Sequence, residues 1–137
     1  MQRSDAVRDA MLRFYDRLSA NDVDSFDSIV SADRSTVVIG TAIGEIHRDR
    51  AKLRFGFETE GVRIAAGADP VGYAEGSMGW VIDEPSFFFG ALGPVVTRLT
   101  AVFHQEAATW KMVHMHVSVG VPDDEVTDLQ QRWNVTG

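Results

Sequence analysis

The chain of 137 residues has the size of one domain, and its 45% content of hydrophobic residues is enough for a packed core. Its net charge of -7 disfavours nucleic acid as a partner, and the lack of cysteine excludes disulfides, thiolate nucleophiles and cysteine-bound metals. Charged residues are spread through the first twenty positions and no run approaches the ~20 apolar residues of a membrane span, so we expect a cytoplasmic protein with no membrane contact.

Three segments near the start of the chain have helical periodicity. Apolar residues recur at helical spacing after Ser4, which predicts a helix over residues 4–20 with Ser4 as its N-cap. Further helices are predicted over residues 23–30 and 49–57. Tyr15 flanks the apolar stripe of the first helix, where its ring can be buried and its hydroxyl can point into a cavity.

The remainder of the chain is rich in strands. Short strands are predicted at residues 36–39 and 45–47, and longer ones at 73–83, 95–105 and 109–120. Segregated helices and an antiparallel meander indicate a single α+β domain over residues 1–137. The acidic tail from about residue 121 is predicted to be poorly ordered. The sequon at residues 134–136 is interpreted as a chance match.

The stretch 109–120, T-W-K-M-V-H-M-H-V-S-V-G, predicts the strand around which the sheet is organised, because it alternates with period two and both of its faces look covered. If the hairpin at residues 106–109 has an even loop, Ala101 lies opposite His114 and Leu99 lies opposite His116, whereas an odd loop or a bulge would reverse the pairing. With an even loop, one group of side chains faces the pocket, namely Leu99, Ala101, Phe103, Met112, His114, His116 and Ser118. A second group lies on the outer face, namely Arg98, Thr100, Val102, His104, Val113, Met115 and Val117.

The string W-K-M-V-H-M-H-V-S at residues 110–118, with V-F-H before it at 102–104, resembles the end of SnoaL-like domains of the nuclear-transport-factor-2-like superfamily. It is similar to the W-x-x-V-H-x-H-x-S string of the association (hub) domain of calcium/calmodulin-dependent protein kinase II. The F-Y pair at 14–15 and the glycine-then-glutamate turn at 40–45 also fit. The resemblance implies a cone-shaped half-barrel, with three helices on the concave face of a mostly antiparallel sheet, a dimer, and a pocket between helices and sheet. It does not imply one function, because the superfamily includes isomerases, dehydratases, cyclases, hydrolases and non-catalytic modules.

We predict a pocket between the first helix and the concave sheet. Its walls are expected to be Trp80, Phe103 and Met112, and Arg98 joins them as an anion anchor if a bulge turns it inward. The resemblance suggests that Glu45 returns toward the sheet, and an isomerase of this superfamily needs a deep acid, for which Glu45 and Asp83 are candidates. The predicted polar and catalytic groups are His114, His116, Tyr15 and Glu45.

The chemistry of His114 and His116 is open at this point. The pair could donate and accept protons, could bind a metal with a third ligand that no local pattern supplies, or could be buried and hydrogen-bonded. We predict no metal and no cofactor, since nucleotide-binding glycine patterns are also absent.

Two hypotheses of different class follow. The first is a small-molecule-binding protein whose apolar pocket takes a small apolar or weakly acidic ligand. The second is a cofactor-independent isomerase or hydro-lyase that uses His, Tyr and Glu for acid–base catalysis on a hydrophobic ring or polyketide-like substrate. A homodimer is predicted through an apolar stripe on the convex face, formed by Val113, Met115, Val117 and Val119.

Overall fold

The computed structural model describes residues 1–133, which form a mixed α+β arrangement. The helices are α1 (Asp5–Ser19), α2 (Phe26–Ile29), α3 (Arg50–Glu58) and α4 (Asp123–Arg132), with a 3-10 turn (Val23–Ser25) directly before α2. The strands are β1 (Gln2–Arg3), β2 (Val37–Ile39), β3 (Ile46–His47), β4 (Val62–Ala65), β5 (Val71–Glu75), β6 (Met78–Asp83), β7 (Ser86–Phe89), β8 (Val95–Val96), β9 (Arg98–Glu106) and β10 (Thr109–Ser118).

Seven strands form the main sheet in the order β1-β5-β6-β9-β10-β2-β3, and β4, β7 and β8 form a second sheet of three. All of these pairs are antiparallel except the pair of β10 with β2, which is parallel. The main sheet is curved and not closed, so the predicted α+β half-barrel is confirmed.

Helix α1 begins as predicted, because the Ser4 hydroxyl accepts the Val7 backbone N–H at 3.3 Å. Its apolar stripe faces the sheet, and its approach to β5 and β6 is close: a Cβ on Gly72 would meet the α1 backbone, and one on Gly79 would meet Val7. The rings of Phe14 and Phe26 each contact Phe57 of α3 edge-on, with centroids 5.6 and 5.4 Å apart. The three predicted helices therefore share one core.

Two predicted strands are each divided in two. Residues 73–83 were expected to be one strand, but they fall in the β5–β6 hairpin, whose turn contains Gly76 at a φ of +60°. Residues 95–105 divide between β8 and β9 at Thr97, whose buried hydroxyl donates to the Pro85 carbonyl at 2.9 Å. At Gly76 a two-residue Gly-Ser loop, typical of a hairpin, marks the turn, whereas the residues around Thr97 are ordinary strand residues and do not mark the second break.

The prediction of a poorly ordered tail is wrong for residues 123–132, which form α4. The helix has acidic residues in its first turn and Arg132 in its last, an arrangement that matches the helix dipole. None of its side chains is buried. The predicted sequon lies outside the described residues. No helix within residues 1–133 is both long enough and apolar enough to cross a bilayer.

Candidate functional site

The β9–β10 hairpin has the predicted even loop, and Met112 pairs with Phe103 in the expected register. Between Met112 and His114 the register then shifts by one residue, because Val113 forms a β-bulge. Next to the bulge, β10 also binds the segment that follows α2, because the Met112 carbonyl accepts the backbone N–H of Ser31 at 2.9 Å.

The bulge reverses the predicted faces beyond Val113. His114 lies opposite Val102 rather than Ala101, and His116 lies opposite Thr100 rather than Leu99. Met115 and Val117 are buried and face the helices instead of the convex side. The assignment of the histidines to the pocket face is therefore wrong, and so is the stripe proposed for the dimer.

Both histidines lie on the outer face of the main sheet. The Nδ1 atom of His114 is 2.9 Å from the Val37 carbonyl, so this nitrogen carries the proton in the neutral ring. His116 is exposed. Arg98 is also exposed on this face, where its Nε donates to the Ser118 hydroxyl at 3.3 Å, and the bulge does not turn it inward.

Tyr15 does not reach a cavity. Its side chain is buried, and its hydroxyl donates to Oδ2 of the buried Asp83 at 2.9 Å. The same carboxylate accepts the backbone N–H groups of Gly67 at 3.2 Å and Glu84 at 2.8 Å. Burial, together with the charge of Asp83, raises the pKa of Tyr15 far above its ordinary value, so the hydroxyl stays protonated. The pair joins α1 to the end of β6.

The three predicted wall residues occupy three different environments. Trp80 lies on the outer face, where it stacks on Tyr73 with ring centroids 5.6 Å apart. Phe103 is 0% exposed and belongs to the core. Met112 faces inward and contacts a small internal space. Trp80 and Phe103 are therefore not pocket walls.

A cavity of about 370 Å³ lies between α3, the β2–β3 turn, the small sheet and the end of β10. It adjoins an inner space of about 190 Å³, and residues such as Val38, His47 and Met115 border both. The lining is mainly apolar and includes Leu18, Val38, Ile39, Phe55, Val62, Ile64, Phe87, Phe89, Val95, Met115, Val117 and Val119.

One wall of this cavity carries a carboxylate and an imidazole. Gly40 and Glu45 close the β2–β3 turn, with the Gly40 N–H donating to the Glu45 carbonyl at 2.8 Å and Gly44 at a φ of +82°. The Glu45 carboxylate lies over Gly40, where an added Cβ would collide with it, and it accepts the Ala42 N–H at 3.3 Å. His47 follows two residues later and lines the same cavity, as does Thr41.

Of the four predicted polar groups, the structure places only Glu45 at the cavity. His47, which it adds there, was not predicted as a pocket residue, although the alternation Glu45-Ile46-His47 places both side chains on one side of the chain. Within residues 1–133, no three His, Asp or Glu side chains are grouped so that they could hold a metal ion.

An unclosed α+β cone with an apolar cavity beside its helices is the architecture of nuclear-transport-factor-2-like proteins, and the comparisons agree. The family model described as "SnoaL-like domain" matches residues 7–122, so the chain belongs to the SnoaL-like domain family, as the resemblance predicted. No curated protein matches the sequence significantly.

Several solved structures share this fold. A nuclear transport factor 2-like protein from Salmonella enterica superimposes with a TM-score of 0.72 at 14% identity, covering 85% of this chain and 90% of that one. The association domain of CaMKII from C. elegans gives a TM-score of 0.66 at 18% identity, covering 81% and 91%. A protein from Streptomyces avermitilis, proposed to be a dehydratase of the same family, gives 0.67 at 18% identity, covering 85% and 95%. At these identities the similarity establishes the fold alone.

Proposed function

We propose that this protein binds a small, mainly apolar molecule in the cavity, with Glu45 and His47 fixing its orientation. The observation that carries this proposal is the combination of an apolar lining, a volume of about 370 Å³ and two ionisable side chains, Glu45 and His47, on one wall. Small-molecule sites have this composition: apolar walls supply the affinity, and a few placed polar groups supply the orientation.

The chemistry of that wall narrows the ligand class. The Glu45 carboxylate accepts hydrogen bonds and repels anions, so it favours a ligand that carries a donor. A hydroxyl on an aromatic or alicyclic ring fits, because the ring matches the apolar lining and a phenolic hydroxyl is both weakly acidic and a donor. A ligand carboxylate beside Glu45 would instead place like charges together in an apolar environment.

The test is a thermal-shift screen with hydroxylated ring compounds, because a ligand at a hundred times its Kd stabilises the folded state by about 2.7 kcal/mol. For a compound that binds, Glu45→Gln should weaken binding about tenfold, as expected for the loss of a hydrogen bond to a charged group. The control is Glu75→Gln, which removes a carboxylate at the exposed end of β5. Equal affinities for the two variants, or no compound of this class that binds, would contradict the proposal.

A second candidate is a cofactor-independent isomerase or hydro-lyase. Glu45 and His47 favour it, since a carboxylate and an imidazole on one wall can remove a proton from one position and return it at another. The Streptomyces avermitilis protein described as a possible dehydratase has the same fold. In this chain the acid–base pair would be Glu45 and His47, because Tyr15, His114 and His116 lie outside this cavity.

Mass spectrometry and NMR of ligands recovered after incubation distinguish binding from turnover. An isomer or a dehydrated product supports the enzyme, and His47→Gln should then stop conversion while binding persists. Recovery of unchanged ligands after long incubation supports the binding protein.

We also propose that two copies of the chain pair through the outer face of the main sheet. This face presents the Tyr73–Trp80 stack, and beside it the half-exposed Ile82. An apolar patch of this kind on a sheet is typical of a buried interface. The association domain of CaMKII from C. elegans has the same fold, and its designation as an association domain supports assembly.

A further inference from the structure

Helix α4 has an apolar stripe that the rest of the structure covers only in part. Val126, Leu129 and Trp133 follow each other at spacings of three and four residues, so they lie on one side of the helix. Val126 and Leu129 are half-buried, and Trp133 is 60% exposed. An amphipathic helix of ten residues gains most of its stability by packing such a stripe against another surface.

The mouth of the cavity is an apolar surface that lies close to α4 along the chain. Phe55, Phe89, Val95 and Val119 all line the cavity, and all are exposed on its rim. Val119 is the residue that immediately follows β10, and only residues 120–122 separate it from the first residue of α4. The helix spans about 15 Å, a length comparable with the mouth of a cavity that takes one small molecule.

One charge near the rim is opposite to the charges of the first turn of α4. Asp123 and Glu125 flank the apolar stripe of α4. Lys52 of α3 lies one helical turn before Phe55 and lines the adjoining inner space, whereas Arg54 is paired with Glu58 of the same helix at 3.3 Å. Gly120 allows the connection to bend, because glycine adopts a wide range of backbone conformations and nothing packs against this position.

We propose that α4 is a hinged lid that closes over the cavity mouth of its own chain and retains the ligand there. This inference rests on the proposed function of the cavity. In the closed form, Val126 and Leu129 cover the exposed rim residues, and the acidic first turn of α4 lies near Lys52 of α3. The structure described here is the open form, and a bound apolar ligand shifts the population toward the closed one because it adds contacts only there.

Cross-linking tests closure without a ligand, because the chain has no cysteine and introduced cysteines have no background. The pair Val95→Cys and Leu129→Cys joins the rim to the apolar stripe, and a short bis-maleimide should link it within one chain. The control pair, Val95→Cys with Gln131→Cys, uses the opposite side of α4 and should react several-fold more slowly. Equal rates, or products that join two chains, would overturn the lid.

Release of a dye tests retention. N-phenyl-1-naphthylamine is neutral and apolar, and its fluorescence rises when it leaves water. Leu129→Gln should release it roughly tenfold faster than the control Thr127→Gln, a factor that corresponds to losing part of the burial of one leucine.

The outcomes separate the two proposals. Dye that binds but leaves both variants at one rate overturns the lid and leaves the binding function intact. Selective cross-linking within one chain, with no dye or screened compound bound, supports the closing helix and overturns the binding function.

Discussion

Tyr15 was predicted to contact a ligand, and the structure gives it a different partner. Its hydroxyl and the carboxylate of Asp83 are buried, and the hydrogen bond between them joins residues far apart in the chain. Asp83 makes its other hydrogen bonds to backbone N–H groups, so the tyrosine is its one side-chain partner within the described residues. A buried carboxylate that loses such a partner destabilises the fold. We therefore interpret Tyr15 as a residue that stabilises the fold and not as one that contacts a ligand.

Tyr15→Phe should lower the free energy of unfolding by about 1–3 kcal/mol, because the Asp83 oxygen would remain buried with fewer hydrogen bonds. Tyr73→Phe is the matched control, since its ring lies on the outer face. Denaturant unfolding measures both. Loss of ligand binding in Tyr15→Phe at unchanged stability would contradict this interpretation and indicate that Tyr15 contacts the ligand.

The same residue predicts a dependence on alkaline pH. The pKa of Tyr15 in the folded state is raised far above its ordinary value of 10.0 by burial and by Asp83. Above that ordinary value the unfolded chain loses the proton while the folded chain keeps it, so unfolding becomes easier. The contribution is complete below pH 10.0 and declines as the pH rises, by about 1.4 kcal/mol per pH unit. Wild type should lose stability with this additional slope relative to Tyr15→Phe, and parallel curves would contradict the assignment.

Strand β10 illustrates how far its sequence determines its structure. The alternation predicted the strand and the hairpin predicted its first pairs, both correctly. The bulge at Val113 was not predictable, because valine is an ordinary strand residue and the extra position depends on the contact of Met112 with Ser31. One added residue moved His114 and His116 to the opposite face, and with them half of the predicted site.

The helices and the β2–β3 turn could be predicted from the sequence more accurately than the bulge in β10. Helical periodicity and the Ser4 cap depend on neighbouring residues, so α1 to α3 lie within a few residues of their predicted bounds. The glycine turn likewise brought Glu45 to the cavity. The turn at Gly76 has a local signal in its two-residue Gly-Ser loop, whereas the break at Thr97 depends on its contact with Pro85, which local patterns do not encode.

Two neighbouring residues of β10 test the bulge directly. Met115→Asn should lower the free energy of unfolding by about 2–5 kcal/mol, because it places an amide among buried apolar groups. His116→Asn should change it by less than about 0.5 kcal/mol, since this side chain is exposed. Denaturant unfolding of the two variants compares them, and the reverse order of costs would restore the unbulged register.

At the scale of the whole molecule, the outer sheet face and the cavity lie on opposite sides of β10. The proposed ligand binding and the proposed pairing of copies can therefore be changed by separate substitutions. The outer face carries Ile82 and the Tyr73–Trp80 stack, while the cavity is bordered by Met115 and Val117.

Sedimentation velocity at micromolar concentration should give a dimer for wild type. Ile82→Lys should weaken the dimer by about 2–4 kcal/mol, because a symmetric interface contains the substitution twice. Ile43→Lys is the control, because Ile43 is fully exposed on the β2–β3 turn, away from this face. A stable wild-type monomer, or equal effects of the two lysines, would exclude this interface.

The parallel pairing of β2 with β10 has a consequence for how the molecule is made. Val37 and His114 are 77 positions apart, and contacts of such long separation form slowly. During synthesis from the N-terminus, Glu45 and His47 leave the ribosome long before the strand that holds β2 in the sheet. The polar wall of the cavity is therefore assembled late, and a nascent chain that ends before Thr109 contains both side chains but has no β10 to support them.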